Sequence, residues 1–264
     1  LPVTDITTGN NRTIEGHSIG ALYGFVSDGI IQLNEDNYEK GADGNWQKDA
    51  NGLYTGYKHA THAGNTPQPG DIMYKDLNAD GDVTDLDKTI IGKTIPSFNY
   101  SLGFDCNYKN FDLSLFFYGV GDFHIYNAQR ANLSSMNSQD MDHNKLNDFA
   151  QNYWTLENAS TTHVRLDPSN RNVNDRISSF WIEDGSFLRL KDTQVGYTLP
   201  ETFCTRIGIA SLRLYVNASN LFCITSYKGR DPEGFISSNP LSSGTDGGSY
   251  SMPKTFTGGL QIQF

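Results

Sequence analysis

The chain has 264 residues, a formal net charge of −10 and only 37% hydrophobic residues. That balance excludes a nucleic-acid partner held through its phosphates, which needs an excess of Lys and Arg. No run of 18 apolar residues is present, so a transmembrane helix is excluded, whereas a barrel that crosses with strands is not.

Fifteen Phe, fourteen Tyr and 26 Gly make a strand-and-turn composition. Three cysteines, Cys106, Cys204 and Cys223, are too few and too scattered for a disulfide framework or a zinc site. Leu1-Pro-Val-Thr carries no signal peptide and reads as the middle of something longer.

In chain order, the first expected strand covers about 14–33, where β-formers are interrupted by glycines. Residues 34–96 are polar and Gly-rich, with turn signals at Asp43-Gly44, Asn51-Gly52 and Pro67-Gln-Pro-Gly70, and read as a long loop. The cleanest alternation follows over 97–108. Phe98, Tyr100, Leu102, Phe104, Cys106 and Tyr108 fall on one face, and Asn99, Ser101, Gly103, Asp105 and Asn107 on the other.

Lys109-Asn110 is a tight turn into a strand over 110–120, with Phe111, Leu113, Leu115 and Phe117 continuing the apolar face. A second loop covers 121–184. A strand over 186–199 has mixed faces, with Arg189 and Lys191 lying among Phe187, Val195 and Tyr197. Beyond a short connection, 210–222 alternates again, 225–253 is a third loop, and 254–264 closes the chain. In that last strand Phe256, Leu260, Ile262 and Phe264 oppose Thr257, Gln261 and Gln263.

Six strands joined long, short, long, short, long sort their loops by side. Outer-membrane barrels do this, with short turns in the periplasm and long loops outside. Six strands cannot close a wide barrel and would leave two unpaired edges, so the expectation is an all-β segment of a larger antiparallel transmembrane barrel.

One loop motif points to a metal. Asp76, Asn78 and Asp80 stand at positions 1, 3 and 5 of a calcium-type loop, Gly81 at the sharp turn and Asp87 at position 12. Asp82 would add a backbone carbonyl, and Thr84 a hydroxyl or a bridging water. Hard oxygen donors in this number suit Ca²⁺, although Asp in place of Glu at position 12 shortens the reach. The expected role is to staple a long external loop.

His59-Ala-Thr-His62 has metal-like spacing but reads as a solvated pair. Asp140, Asp142, His143 and Asp148 read as polar loop surface; the loop aromatics Trp46, Tyr54, Tyr57 and Trp154 are of a type that stacks on sugar rings or anchors a partner protein, but each taken singly reads as ordinary loop packing. No nucleophile elbow, phosphate loop or dinucleotide fingerprint is present, so no enzyme is expected and no catalytic residue is named.

Taken together, several stretches resemble the SusC/RagA-like TonB-dependent outer-membrane transporters, always in the same order. They are Gly70-Asp-Ile-Met-Tyr-Lys-Asp-Leu-Asn-Ala-Asp-Gly81, Ile91-Gly-Lys-Thr-Ile-Pro-Ser-Phe98, Tyr108-Lys-Asn-Phe-Asp-Leu-Ser114 and Tyr153-Trp-Thr155. The series continues with Ile182-Glu-Asp-Gly-Ser-Phe-Leu-Arg-Leu-Lys191, Gly196-Tyr-Thr-Leu-Pro200, Asn217-Ala-Ser-Asn-Leu-Phe222, Tyr227-Lys-Gly-Arg-Asp-Pro-Glu233 and Pro253-Lys-Thr-Phe-Thr-Gly-Gly-Leu260. Ser249-Tyr-Ser-Met-Pro253 departs from the family's usual loop pattern.

The resemblance implies a 22-stranded barrel with an N-terminal plug, energised by TonB and capped by a SusD-like surface lipoprotein. By resemblance the whole protein imports oligosaccharides or peptides across the outer membrane, and this chain supplies the C-terminal barrel portion. A competing reading is a secreted, calcium-stabilised, glycan-binding β-sandwich, which would bury the Phe98–Tyr108 row against a second sheet.

Overall fold

The computed structural model describes residues 5–135, 144–167, 174–235 and 239–264. Along the chain the first strands are β1 (Ile6–Thr8), β2 (Asn11–Thr13), β3 (Ala21–Gly24), β4 (Ser27–Ile30), β5 (Thr61–His62), β6 (Ile72–Tyr74), β7 (Asp82–Val83) and β8 (Thr89–Gly92). They are followed by β9 (Phe98–Tyr108), β10 (Phe111–Gly121), β11 (His124–Tyr126), β12 (Ile182–Asp184), β13 (Phe187–Thr198), β14 (Ser211–Thr225) and β15 (Thr255–Gln263).

The chain divides into two compact units. One gathers Leu1–Ile95, His124–Glu183 and Phe235–Gly248; the other gathers Pro96–Phe123, Asp184–Gly234 and Ser249–Phe264.

The first unit corrects the reading of 14–33. That stretch is not one strand but the short β3 and β4, broken before β3 at Gly20, whose φ of +61° favours glycine. β3 joins the antiparallel sheet β1-β2-β3-β8, while β4 pairs with β6. Leu22 and Phe25 are buried in a core with Ile72, Tyr74, Val83, Phe149, Val164 and Trp181. The apolar residues of this stretch therefore pack against protein, which is why its glycine interruptions are tolerated.

The expected loops 34–96 and 121–184 supply most of that core and are not structureless. Within 34–96, bridges at Tyr38–Tyr57, Lys40–Trp46 and Lys48–Tyr54 build a small ladder.

The second unit is one antiparallel sheet of five long strands in the order β15-β14-β13-β10-β9. The strands run 9 to 15 residues, and a tilted membrane-crossing strand takes about 9–11. Short links join β9 to β10 and β13 to β14, so both lie at one end of the sheet. The long excursions 122–186 and 226–254 leave from the other end. The sorting of loops by side thus rests on two long connections in the sheet, not three.

Register shows that the apolar face is continuous. Tyr108, Phe111, Tyr197, Leu214 and Leu260 form one row across all five strands, and Phe104, Leu115, Thr193, Ala218 and Phe256 another. This face is open: Leu102 is 63% exposed and Leu260 62%, and every residue of β9 is exposed. The Phe98–Tyr108 row is not packed against a second sheet, which is what the sandwich reading required.

Aromatic residues mark both ends of the band. Phe111 and Tyr197 sit 4.6 Å apart between ring centroids at one end, and Phe98 and Tyr100 6.1 Å apart at the other. Phe98 to Tyr108 spans ten residue steps, about 33 Å at ~3.3 Å per residue. At a tilt of about 40° this covers about 25 Å, the height of a barrel's apolar band with its aromatic girdles. Tyr100 also lies flat over Gly119 of β10: a Cβ added to that glycine would sit 2.1 Å from the ring.

Among the described residues no helix is long and apolar enough to cross a membrane; the five strands are the elements of that length. Leu102→Arg, at the middle of the exposed face, is expected to cost about 2–4 kcal/mol of stability in a bilayer. Urea unfolding of wild type and variant in lipid vesicles measures it, and equal midpoints would remove the lipid contact.

Candidate functional site

The opposite face of the five-stranded sheet carries the charges. Alternation alone places Asp112, Gly196 and Tyr215 in one row and Ser114, Gln194 and Asn217 in the next. At Lys191 the register slips. A bulge of this kind turns two successive side chains to one side, and here Arg189, Lys191 and Asp192 all meet polar partners.

Asn217 Nδ2 donates to Asp192 at 2.8 Å, and Ser219 Oγ donates to the same carboxylate at 3.3 Å. Arg213 Nε donates to Asp112 at 2.9 Å, with Nη2 at 2.5 Å from its second oxygen.

Deepest in this face is a four-membered network. Arg189, 4% exposed, donates from Nη2 to Asp231 Oδ1 at 2.5 Å, and Lys191 Nζ donates to Glu233 Oε1 at 2.5 Å. Arg189 Nε lies 3.1 Å from Glu233 Oε2 but off the hydrogen-bond axis, so that contact is ionic only. Asp231 also accepts the backbone N–H of Glu233 at 3.0 Å and of Met252 at 2.9 Å. Four charges thus tie residues 231–233 to β13, and Asp231 holds the backbone of Met252 as well.

Exposed pairs such as Glu35–Lys40 and Asp28–Lys75 contribute about 0–1 kcal/mol each. Removing one partner of a buried pair such as Arg189–Asp231 leaves a stranded charge and costs about 3–5 kcal/mol. The network, not the exposed pairs, holds this part of the wall.

Its chemistry is that of an internally neutralised polar surface. The Tyr227–Glu233 segment and the mixed faces of β13 were visible in sequence. Their pairing was not, because 42 residues separate Arg189 from Asp231.

The calcium-type loop lies in the first unit and folds largely onto its own backbone. Asp76 accepts from the N–H of Ala79 at 2.7 Å and of Gly81 at 2.8 Å, Asn78 from Asp80 at 2.8 Å, and Asp80 from Asp82 at 2.9 Å. Asp82 turns its carboxylate to the N–H of Gly64 and the hydroxyl of Thr61. Thr84 caps the short 3-10 helix Asp85–Asp87, and Asp87 answers it in a capping box.

The buried Asp87 carboxylate accepts from the N–H groups of Leu77 at 2.8 Å, Asn78 at 3.2 Å and Thr84 at 2.8 Å. It also comes within hydrogen-bonding reach of Asp76, so the loop's first and last carboxyl groups are side by side. Among the described residues no group of three or more His, Cys, Asp or Glu is arranged to hold a metal ion.

His59 and His62 do not converge. His62 is buried beside Tyr74, 5.0 Å between ring centroids, whereas His59 Nε2 lies 3.1 Å from Asn37 Oδ1. Asp148 pairs with His163 at 3.0 Å; Asp140, Asp142 and His143 lie outside the described residues.

Burial pushes the Asp87 carboxyl up, but the N–H donors outweigh it and hold the group below the usual carboxylate range. A depressed folded value means that its stabilisation is present in full above the unfolded carboxyl's pKa of about 4. It is lost as pH falls through the lower folded value. Asp87→Asn keeps one acceptor oxygen but turns an amide donor toward a backbone N–H, at an expected cost of about 1–3 kcal/mol. Urea midpoints from pH 2 to 6 should show that the variant loses part of the wild type's acid sensitivity.

No protein-family model matches the chain. The chain is 34% identical over 255 residues to TonB-dependent receptor P3 of Formosa agariphila, covering 95% of this chain and 22% of that protein. It is 29% identical over 199 residues to TonB-dependent receptor SusC of Bacteroides thetaiotaomicron, covering 75% of this chain and 18% of that one. The solved structure of the RagAB peptide transporter superposes with a TM-score of 0.70 at 19% identity, over 100% of this chain and 24% of that chain. The chain therefore spans about a quarter or less of the length of the proteins it matches. Its all-β fold is that of their strand-built barrels, and nearly the whole of this chain is related to the SusC/RagA-like TonB-dependent receptors.

Proposed function

We propose that the protein to which this chain contributes imports oligosaccharides or peptides across the outer membrane, driven by TonB and capped by a SusD-like surface lipoprotein. The observation that carries this reading is the five-stranded sheet itself, greasy and open on one face and ion-paired on the other. Both outer edges, of β9 and of β15, lack a paired strand among the described residues. In hydrocarbon each unpaired backbone group costs several kcal/mol, so further strands of the same barrel must flank them. On this reading the apolar face meets lipid, the ionic face lines the barrel interior, and the excursions 122–186 and 226–254 lie outside the cell.

The relatives' names support the transporter class, and the RagAB structures are of a peptide importer. The work proposed is physical: ligand is held at the barrel mouth and released inward when TonB pulls, with no bond made or broken. Deleting TonB or the lipoprotein is expected to abolish uptake of the cognate ligand while the receptor stays in the outer-membrane fraction. Uptake that persists without TonB, or a receptor recovered from the soluble fraction, would end this reading.

We further propose that Asp76, Asn78, Asp80 and Asp87, with the Asp82 carbonyl and Thr84, take Ca²⁺. The spacing supports this: oxygen donors stand at positions 1, 3, 5 and 12 of the loop, with Gly81 at the sharp turn. Millimolar Ca²⁺ is then expected to raise the thermal midpoint of the wild type and not of Asp76→Asn. An unmoved wild-type midpoint would remove the ion.

A further inference from the structure

Within the first unit, Phe25, Val83, Asp85, Lys88, Arg176 and Ile177 line an open cleft of about 430 Å³. Its floor is apolar. Val83 is fully buried and Phe25 is 3% exposed, with the Tyr74 ring 5.4 Å behind it between centroids.

Backbone pairing brings two cations to the Phe25 ring. β3 meets β8 at Gly24 and Thr89, so the neighbouring Lys88 comes alongside Phe25, with Nζ 5.2 Å from the ring centroid. From a distant part of the chain, the Ile177 carbonyl accepts from the Phe25 N–H at 3.0 Å, and the Ser179 N–H donates back to the Phe25 carbonyl at 2.9 Å. These bonds set Arg176 beside the same ring, with Cζ 5.5 Å from its centroid.

The two cations differ in what they meet. Lys88 pairs with Asp85 at 2.8 Å, a carboxylate that is itself 85% exposed. Arg176 is half-buried, and its guanidinium has no hydrogen bond or ion pair among the described residues. In a chain with 30 acids against 20 basic residues, an arginine left without a carboxylate stands out. A guanidinium holds its N–H donors in a planar fork that matches the two oxygens of a carboxylate.

We propose that this cleft binds a small organic monocarboxylate with an apolar body, one aryl ring or a short alkyl chain. Arg176 takes the carboxylate in its fork, Lys88 adds a second cation, and Phe25, Val83 and Ile177 meet the apolar body. Two cations and one acid leave a single net positive charge, which one carboxylate neutralises. A dianion such as a phosphate ester would bring a second charge to face Asp85. The volume stands toward the lower end for small-molecule sites and suits one ring rather than a polymer. The apolar floor offers nothing to the hydroxyls of a sugar. This ligand is distinct from the cargo proposed above, and its binding does not rest on the importer reading.

The test uses the full-length receptor with its lipoprotein in detergent at neutral pH. EDTA is present so that no ion in the neighbouring calcium-type loop takes part. Fluorine NMR follows line broadening of 3-(4-fluorophenyl)propanoate, with a micelle-only sample to subtract partitioning. Three probes each change one property: the matching amide lacks the charge, trifluoroacetate lacks the apolar body, and 4-fluorobenzylphosphonate carries extra charge.

The expected result is saturable binding of the propanoate, at least tenfold tighter than that of any of the other three. Arg176→Gln is expected to weaken it at least tenfold with the thermal midpoint unchanged. If that variant is destabilised, the more exposed Lys88→Gln serves in its place, with the same loss expected. No saturable broadening by the propanoate overturns the proposal. So does an amide or a phosphonate that binds as tightly, or binding that survives in the folded variant.

Discussion

A backbone that enters hydrocarbon has no water to satisfy its N–H and C=O groups, and on the proposed reading this constraint shapes the five-stranded sheet. Neighbouring strands must supply every bond, so β9, β10, β13, β14 and β15 run long and antiparallel in continuous register. With the backbone paired, the side chains are divided by the period-two pleat. Phe98 through Tyr108 can then show lipid one face while Asn107 and Asp105 show the other. On the proposed reading, the same constraint makes the edges of β9 and β15, unpaired among the described residues, untenable alone.

The two faces use different energetics. On the apolar side stabilisation grows with area and no single residue is decisive. On the polar side it is concentrated, because Arg189 and Asp231 have both left water and depend on each other. The slip at Lys191 makes this concentration possible. It turns an extra cation toward Glu233 without moving Leu190 or Thr193 off the apolar rows. The first unit has an ordinary protein core around Trp181 and Phe149, and its buried Asp71 is met by Arg165 and Asn174.

How legible each part was in sequence depended on the range of the interactions that shape it. The β9–β10 hairpin could be read residue by residue, since alternation and a two-residue turn are local signals. Residues 14–33 were misread because β-forming composition does not distinguish a lipid-facing strand from short strands buried in a core. The loop from Asp76 to Asp87 was recognised by spacing, yet its dominant bonds run from side chains to its own backbone, which spacing alone does not reveal. The partners of Arg189 and Arg165 were out of reach, as each depends on a residue 42 or 94 positions away. Tyr54 and Trp154, of a type that stacks on sugars or anchors a partner, read singly as ordinary packing. Only the fold brings them to one cleft.

The ring of Tyr100 laid over Gly119 has a consequence for how this surface can change over time. The space a side chain would need at Gly119 is already taken by an aromatic ring from the neighbouring strand. A lineage that enlarges the glycine must therefore first shrink or redirect the tyrosine, or pass through a clashing intermediate. The two positions, 19 apart in the chain, are therefore coupled in a fixed order: change at Tyr100 has to precede any enlargement at Gly119.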